Sequence, residues 1–143
     1  MGRVQTMTKE ATLEDWLDRF FESYYRRRPV NATFIGVHEY DDLLPDFSRN
    51  GVADVVGEMR SLLEELEQLP DEGLSPAQAM DRMLAEGFLR IQLWEYGSKH
   101  FYAGNPSLYV SEAVFGSMSL LLRESTPLRQ RLDAARSRLE RVG

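Results

Sequence analysis

The sequence predicts an all-α fold of about five amphipathic helices in a bundle or array. Three observations predict it. Apolar residues recur at three- and four-residue spacing in five successive stretches. Each stretch opens on a capping residue or a proline, and no stretch alternates as a strand does.

Leu13, Trp16, Leu17, Phe20, Phe21, Tyr24 and Tyr25 form the first stripe. Thr12 and Asp15 open it as a capping box, and Pro29 stops it near Arg28, which predicts a helix over 12–28. The aromatics suit a core face better than a stacking platform, because each buries on the order of 150–250 Å². A short turn of helix is expected at 30–35. Val52, Val55, Val56, Met59, Leu62, Leu63, Leu66 and Leu69 predict a helix over 48–69, ended by Pro70 and Gly73. Gly51 and Gly57 weaken it by up to about 1 kcal/mol each, and close helix packing is the expected reason for both.

Ser75-Pro76 is a hydroxyl cap followed by proline at the first helical position. Met80, Met83, Leu84, Phe88, Ile91 and Trp94 then carry a helix over 76–103, with the methionines expected as core filler rather than as an adaptable binding groove. Asn105-Pro106 opens a helix over 106–124, and Thr126-Pro127 opens another over 127–142. Residues 12–143 are expected as a single helical domain, and 1–11 as a disordered or appended tail.

Composition narrows the function. The chain has 143 residues, a net charge of −6 and no cysteine, so a thiolate zinc site and a cysteine nucleophile are excluded. The acidic balance argues against nucleic-acid binding, and no apolar run is long enough to span a membrane. A cytoplasmic location is expected. The arginines from Arg123 onward are read as a solvated helix face or a contact with an acidic segment.

The densest polar segment is His38-Glu39-Tyr40-Asp41-Asp42, with Asp46 just beyond. A zinc hydrolase helix carries H-E-x-x-H, and the fifth position here is Asp42. A cluster of His38, Asp41, Asp42 and His100 is chemically possible for zinc, yet its spacing gives little support. Capping by Asp41, Asp42, Asp46 and Ser48, with Tyr40, Phe34 and Phe47 pinning the loop, accounts for more of the residues. No phosphate-binding, dinucleotide-binding or nucleophile-elbow motif occurs. No catalytic constellation is complete.

Four segments, "FESYYRRRP", "NATFIGVHEYDDLLPDFS", "NPSLYV" and "TPLRQRLDAARSRLERV", resemble the amino-terminal part of the bacterial domain of unknown function 885 family. That resemblance implies a relative several times longer, similar to helical zinc metallopeptidases, whose zinc ligands lie in a carboxy-terminal half not contained in this sequence. It therefore implies zinc, and a peptide substrate, only for that longer relative. No catalytic, cofactor-binding or metal-binding residue is assigned here. By the same resemblance this chain is a non-catalytic segment forming one wall of a cleft, truncated within a larger helical array. Tyr40, Asp41, Asp42, Asn105 and Tyr109 are then candidate cleft or inter-subdomain contacts.

The alternatives are a free-standing helical interaction or homodimerisation module and a small metal enzyme built on the polar segment. Truncation predicts self-association through an exposed stripe of Leu128, Leu132, Leu139 and Val142, beside Leu121 and Leu122. Arg129, Arg136 and Arg138 are expected at its rim.

Overall fold

The structure, a computed structural model, describes residues 12–122 and 124–142; the expected tail at 1–11 lies outside them. The described residues form seven helices and no strand: α1 (Leu13–Arg27), α2 (Pro29–Ile35), α3 (Arg49–Gln68), α4 (Pro76–Gly97), α5 (Lys99–Tyr102), α6 (Pro106–Leu122) and α7 (Leu128–Glu140). The all-α class holds, and the count exceeds five for two reasons. The expected turn at 30–35 is a helix of its own. The expected helix over 76–103 breaks at Ser98, whose backbone is extended.

Local chemistry sets most boundaries. Asp15 N–H donates to the Thr12 hydroxyl at 3.1 Å, and Thr12 N–H to the Asp15 carboxylate at 3.4 Å, completing the capping box. Pro29 starts α2 without needing a donor. Gly36, at φ 97°, ends α2, with Val37 N–H returning to the Ala32 carbonyl at 2.8 Å. That left-handed conformation strains a residue bearing a Cβ. Ser48 caps α3 by accepting from Gly51 N–H at 3.1 Å, and Ser75 with Gln78 forms a second capping box at α4. Thr126 does not cap α7: Pro127 holds that position, and the Thr126 hydroxyl is buried without a partner.

α1, α3 and α4 enclose one core, made of Leu13, Trp16 and Phe20, Leu62, Leu63 and Leu66, and Ala85 with Leu89. The wholly buried Trp16 donates its indole N–H to the Leu62 carbonyl at 3.0 Å, so its ring is buried without an orphaned donor. α2, α6 and α7 pack together as a second group. There α2 lies so close to Gly116 that a Cβ on it would come within 2.9 Å of Val30. At Gly51 the close neighbour is the loop residue Asp46, 2.4 Å from where a Cβ would stand, rather than a packed helix. Nothing lies within 4 Å of such an atom at Gly57, so close packing does not account for that glycine.

One expectation is overturned. Of the expected stripe, Phe88 packs against the core, but Met80, Met83, Leu84, Ile91 and Trp94 face away from it, and α4 buries Ala85, Leu89 and Gln92 instead. α4 has two apolar faces, so periodicity alone could not choose between them. Ala85 and Leu89 let α4 approach α3 closely, and the bulkier stripe is left outside.

Candidate functional site

The loop between α2 and α3 closes around a side chain almost a hundred residues away. Arg138, on α7, is wholly buried. Its Nε donates to the Leu43 carbonyl at 2.9 Å and one terminal nitrogen donates to the Gly116 carbonyl. The other donates to the Thr33 hydroxyl at 2.7 Å and the Pro29 carbonyl at 3.3 Å. One guanidinium thus ties α2, the loop and α6 to α7. A planar fork with five donors suits such a cage of acceptors, and a lysine ammonium does not.

Thr33 passes the interaction on. Its hydroxyl lies 2.6 Å from one Asp41 carboxylate oxygen, and the other oxygen is 3.0 Å from His38 Nδ1. A continuous chain therefore runs from guanidinium to hydroxyl to carboxylate to imidazole. Burial pushes the Arg138 pKa down, while the negative charges of Asp41, Glu112 and Asp42 oppose that shift. The positive charge is kept by electrostatics spread over three acids, with neutral acceptors in direct contact.

Glu112 is the second unusual group. It is the single charged residue of α6. Burial holds its carboxyl above the ordinary range against the pull of Arg28 and Arg138, and its buried Oε2 has no hydrogen-bond partner. It borders an open groove of about 490 Å³ between α2 and α6, walled by Val30, Phe34, Phe115 and Met118. Glu58 behaves oppositely. Burial would raise its pKa, but hydrogen bonds from Arg27 and Ser23 and the charges of Arg27 and Arg26 bring it below the ordinary value.

The residues expected at a cleft divide into two kinds. Asp41 is buried inside the hydrogen-bond chain, and Tyr40 is half-buried. Asp42 and Asn105 are exposed, and Tyr109 is 43% exposed, its hydroxyl donating to the Tyr102 carbonyl at 2.6 Å. Phe47 packs edge-on against Tyr109 with ring centres 5.1 Å apart, which brings the loop beside the start of α6. Of the expected rim arginines, Arg138 is instead an interior residue, because α7 turns its Arg131, Ala135 and Arg138 face inward. Arg131 likewise serves carbonyls, those of Thr126, Leu120 and Leu121.

Zinc does not fit these residues. Among the described residues no three His, Cys, Asp or Glu side chains group closely enough to hold a metal ion. Asp41, which faces His38, is already engaged by Thr33. The arrangement holds α2, the loop, α6 and α7 together.

Residues 29–143 match the family described as Bacterial protein of unknown function (DUF885). The chain belongs to the DUF885 family. No curated protein and no solved structure matches it. The DUF885 match begins at the first residue of α2, so it takes in Arg138 and every acceptor around it, while α1 precedes it. Sequence reasoning found the loop and missed its arginine. The available signal was the spacing of Arg131, Ala135 and Arg138, a second face of α7 beside the leucines. No helix among the described residues is long and apolar enough to cross a membrane.

Proposed function

We propose that this chain is a non-catalytic helical segment of a DUF885 protein resembling the zinc-dependent metallopeptidases, and that it forms one wall of a cleft completed by further helices. The observation that carries this reading is α6. Its 17 residues include one charged side chain. It buries Gly116 and Leu120 on one side while Val110, Val114, Phe115, Met118, Leu121 and Leu122 remain 46–73% exposed. A helix apolar all round belongs in an interior, and this chain covers only one side of it. Asp42, Asn105 and Tyr109 would lie on the cleft side, with Arg138 fixing the loop that carries Asp42.

The encoding gene tests this. An open frame continuing past the Gly143 codon into a segment with H-E-x-x-H supports it, and a stop codon there overturns it. A second reading is a free-standing homodimerisation module. Leu128, Leu132, Leu139 and Val142, exposed by 50–61%, favour it. A contiguous apolar surface of this kind marks an interaction site.

A further inference from the structure

The outward stripe of α4 has an internal symmetry. Counted from Gly87, Met80 and Met83 stand seven and four residues before it, and Ile91 and Trp94 four and seven residues after it. Those offsets place all five on one helical face. Their four large side chains are 57–74% exposed. A Cβ on Gly87 would meet nothing within 4 Å, so no packing within this chain explains a glycine in mid-helix, where it costs up to about 1 kcal/mol relative to alanine.

We propose that this face is the contact between two copies of the chain, with α4 pairing antiparallel to its counterpart across a two-fold axis at Gly87. In that arrangement Met80 meets the partner's Trp94, and Met83 meets the partner's Ile91. The two glycines let the backbones approach at the centre. A two-fold interface must be self-complementary, residue i meeting j and j meeting i, and this seam meets that condition by its spacing alone. Leu84 faces the stem of the partner's Arg90, whose head is already held by Glu86 and Glu67 at 2.9 and 2.7 Å. Asp81 approaches the partner's Glu95 at the solvated rim, where a like-charge contact costs little.

The exposed area lies within the range of stable interfaces, about 1,200–2,000 Å² in total. Phe21 of α1 is 45% exposed and adjoins the seam across an apolar groove of about 730 Å³. With Leu84, six large side chains, two of them aromatics that bury roughly 150–250 Å² in full, then present on the order of 700 Å² per copy. Two copies then bury on the order of 1,400 Å², near the mean of about 800 Å² per partner. The proposal goes beyond the cleft reading and does not depend on it, because α6 and α7 take no part.

Sedimentation of the native chain, Ile91→Glu and Leu132→Glu, combined with cysteine mixing, tests it. The native chain is expected to dimerise with concentration, Ile91→Glu to be a folded monomer by circular dichroism, and Leu132→Glu to dimerise as the native chain does. Because the sequence has no cysteine, Met80→Cys chains mixed with Trp94→Cys chains should form a mixed disulfide severalfold faster than either forms alone. A native chain monomeric up to about 100 µM, a dimer that survives Ile91→Glu, or the absence of that preferential disulfide overturns the proposal. None of these outcomes bears on the reading frame past Gly143, so the two readings fail separately.

Discussion

Arg138 donates to the Thr33 hydroxyl at 2.7 Å across 105 positions of sequence, and both residues are buried. The contact joins the last helix to the second and fixes the intervening loop from inside. An interior arginine is costly to desolvate. Here the cost is met by four close acceptors, three of them backbone carbonyls.

Arg138→Met should therefore destabilise the chain by about 3–5 kcal/mol, the range expected when one member of a buried charged network is removed. Arg138→Lys should recover little of it, since a single ammonium cannot reach carbonyls on three elements. Urea midpoints measure both. Arg136→Ala is the control, because Arg136 is an exposed α7 arginine paired with its helix neighbour Glu140, and it should leave the midpoint unchanged.

Ser48→Ala should cost about 0.5–2 kcal/mol by removing the α3 cap. Gly51→Ala should cost more than the cap itself. Helix propensity alone would make that change stabilising, but the added carbon would stand 2.5 Å from the Asp46 carbonyl oxygen. A more stable Gly51→Ala protein in thermal unfolding would show that the loop yields at Asp46.

How much was legible follows from which residues carry unique instructions. Thr12, Ser48 and Ser75 announce helix starts through hydroxyls at fixed offsets, and the structure bears all three out. α4 and α7 are different, because each has two faces able to pack. Leu128, Leu132 and Leu139 were expected outside and are outside; Met80, Met83 and Trp94 were expected inside and are not. Orientation depends on the neighbouring helix, which periodicity does not report. The Arg138 contacts were hidden for a related reason, since charged residues are rarely wholly buried. The polar loop was recognised as a tied connection, and its tie came from the far end of the sequence.

The His38–Asp41 contact should not recruit metal. The purified chain is expected to carry no stoichiometric zinc by elemental analysis and to keep its Tm in chelator. His38→Ala should be tolerated better than Thr33→Val. His38 is partly exposed and makes its contact at one edge of the network, whereas Thr33 bridges Arg138 and Asp41. Stoichiometric zinc lost on His38→Ala would overturn this and promote the metal-enzyme reading of the loop.

Glu112 makes the last prediction, on pH. Burial raises its carboxyl in the folded chain above its ordinary 4.5, the opposing charges of Arg28 and Arg138 notwithstanding. Below about 4.5 both the folded and unfolded forms are protonated, and the folded state carries no penalty from this group. As pH rises, the unfolded chain releases its proton first, so stability falls through the interval up to the raised folded-state value and then levels off. Glu112→Gln removes that loss. Thermal unfolding of the two proteins should coincide near pH 4 and diverge toward pH 7.5, with the variant melting higher. Glu58 and Asp46, both held below their ordinary values, act in the opposite direction, gaining stability with pH, but they act equally in both proteins. The difference between the curves therefore reports Glu112 alone. A variant that melts lower at pH 7.5 would mean that the carboxylate's attraction to Arg28 and Arg138 outweighs the cost of burying it.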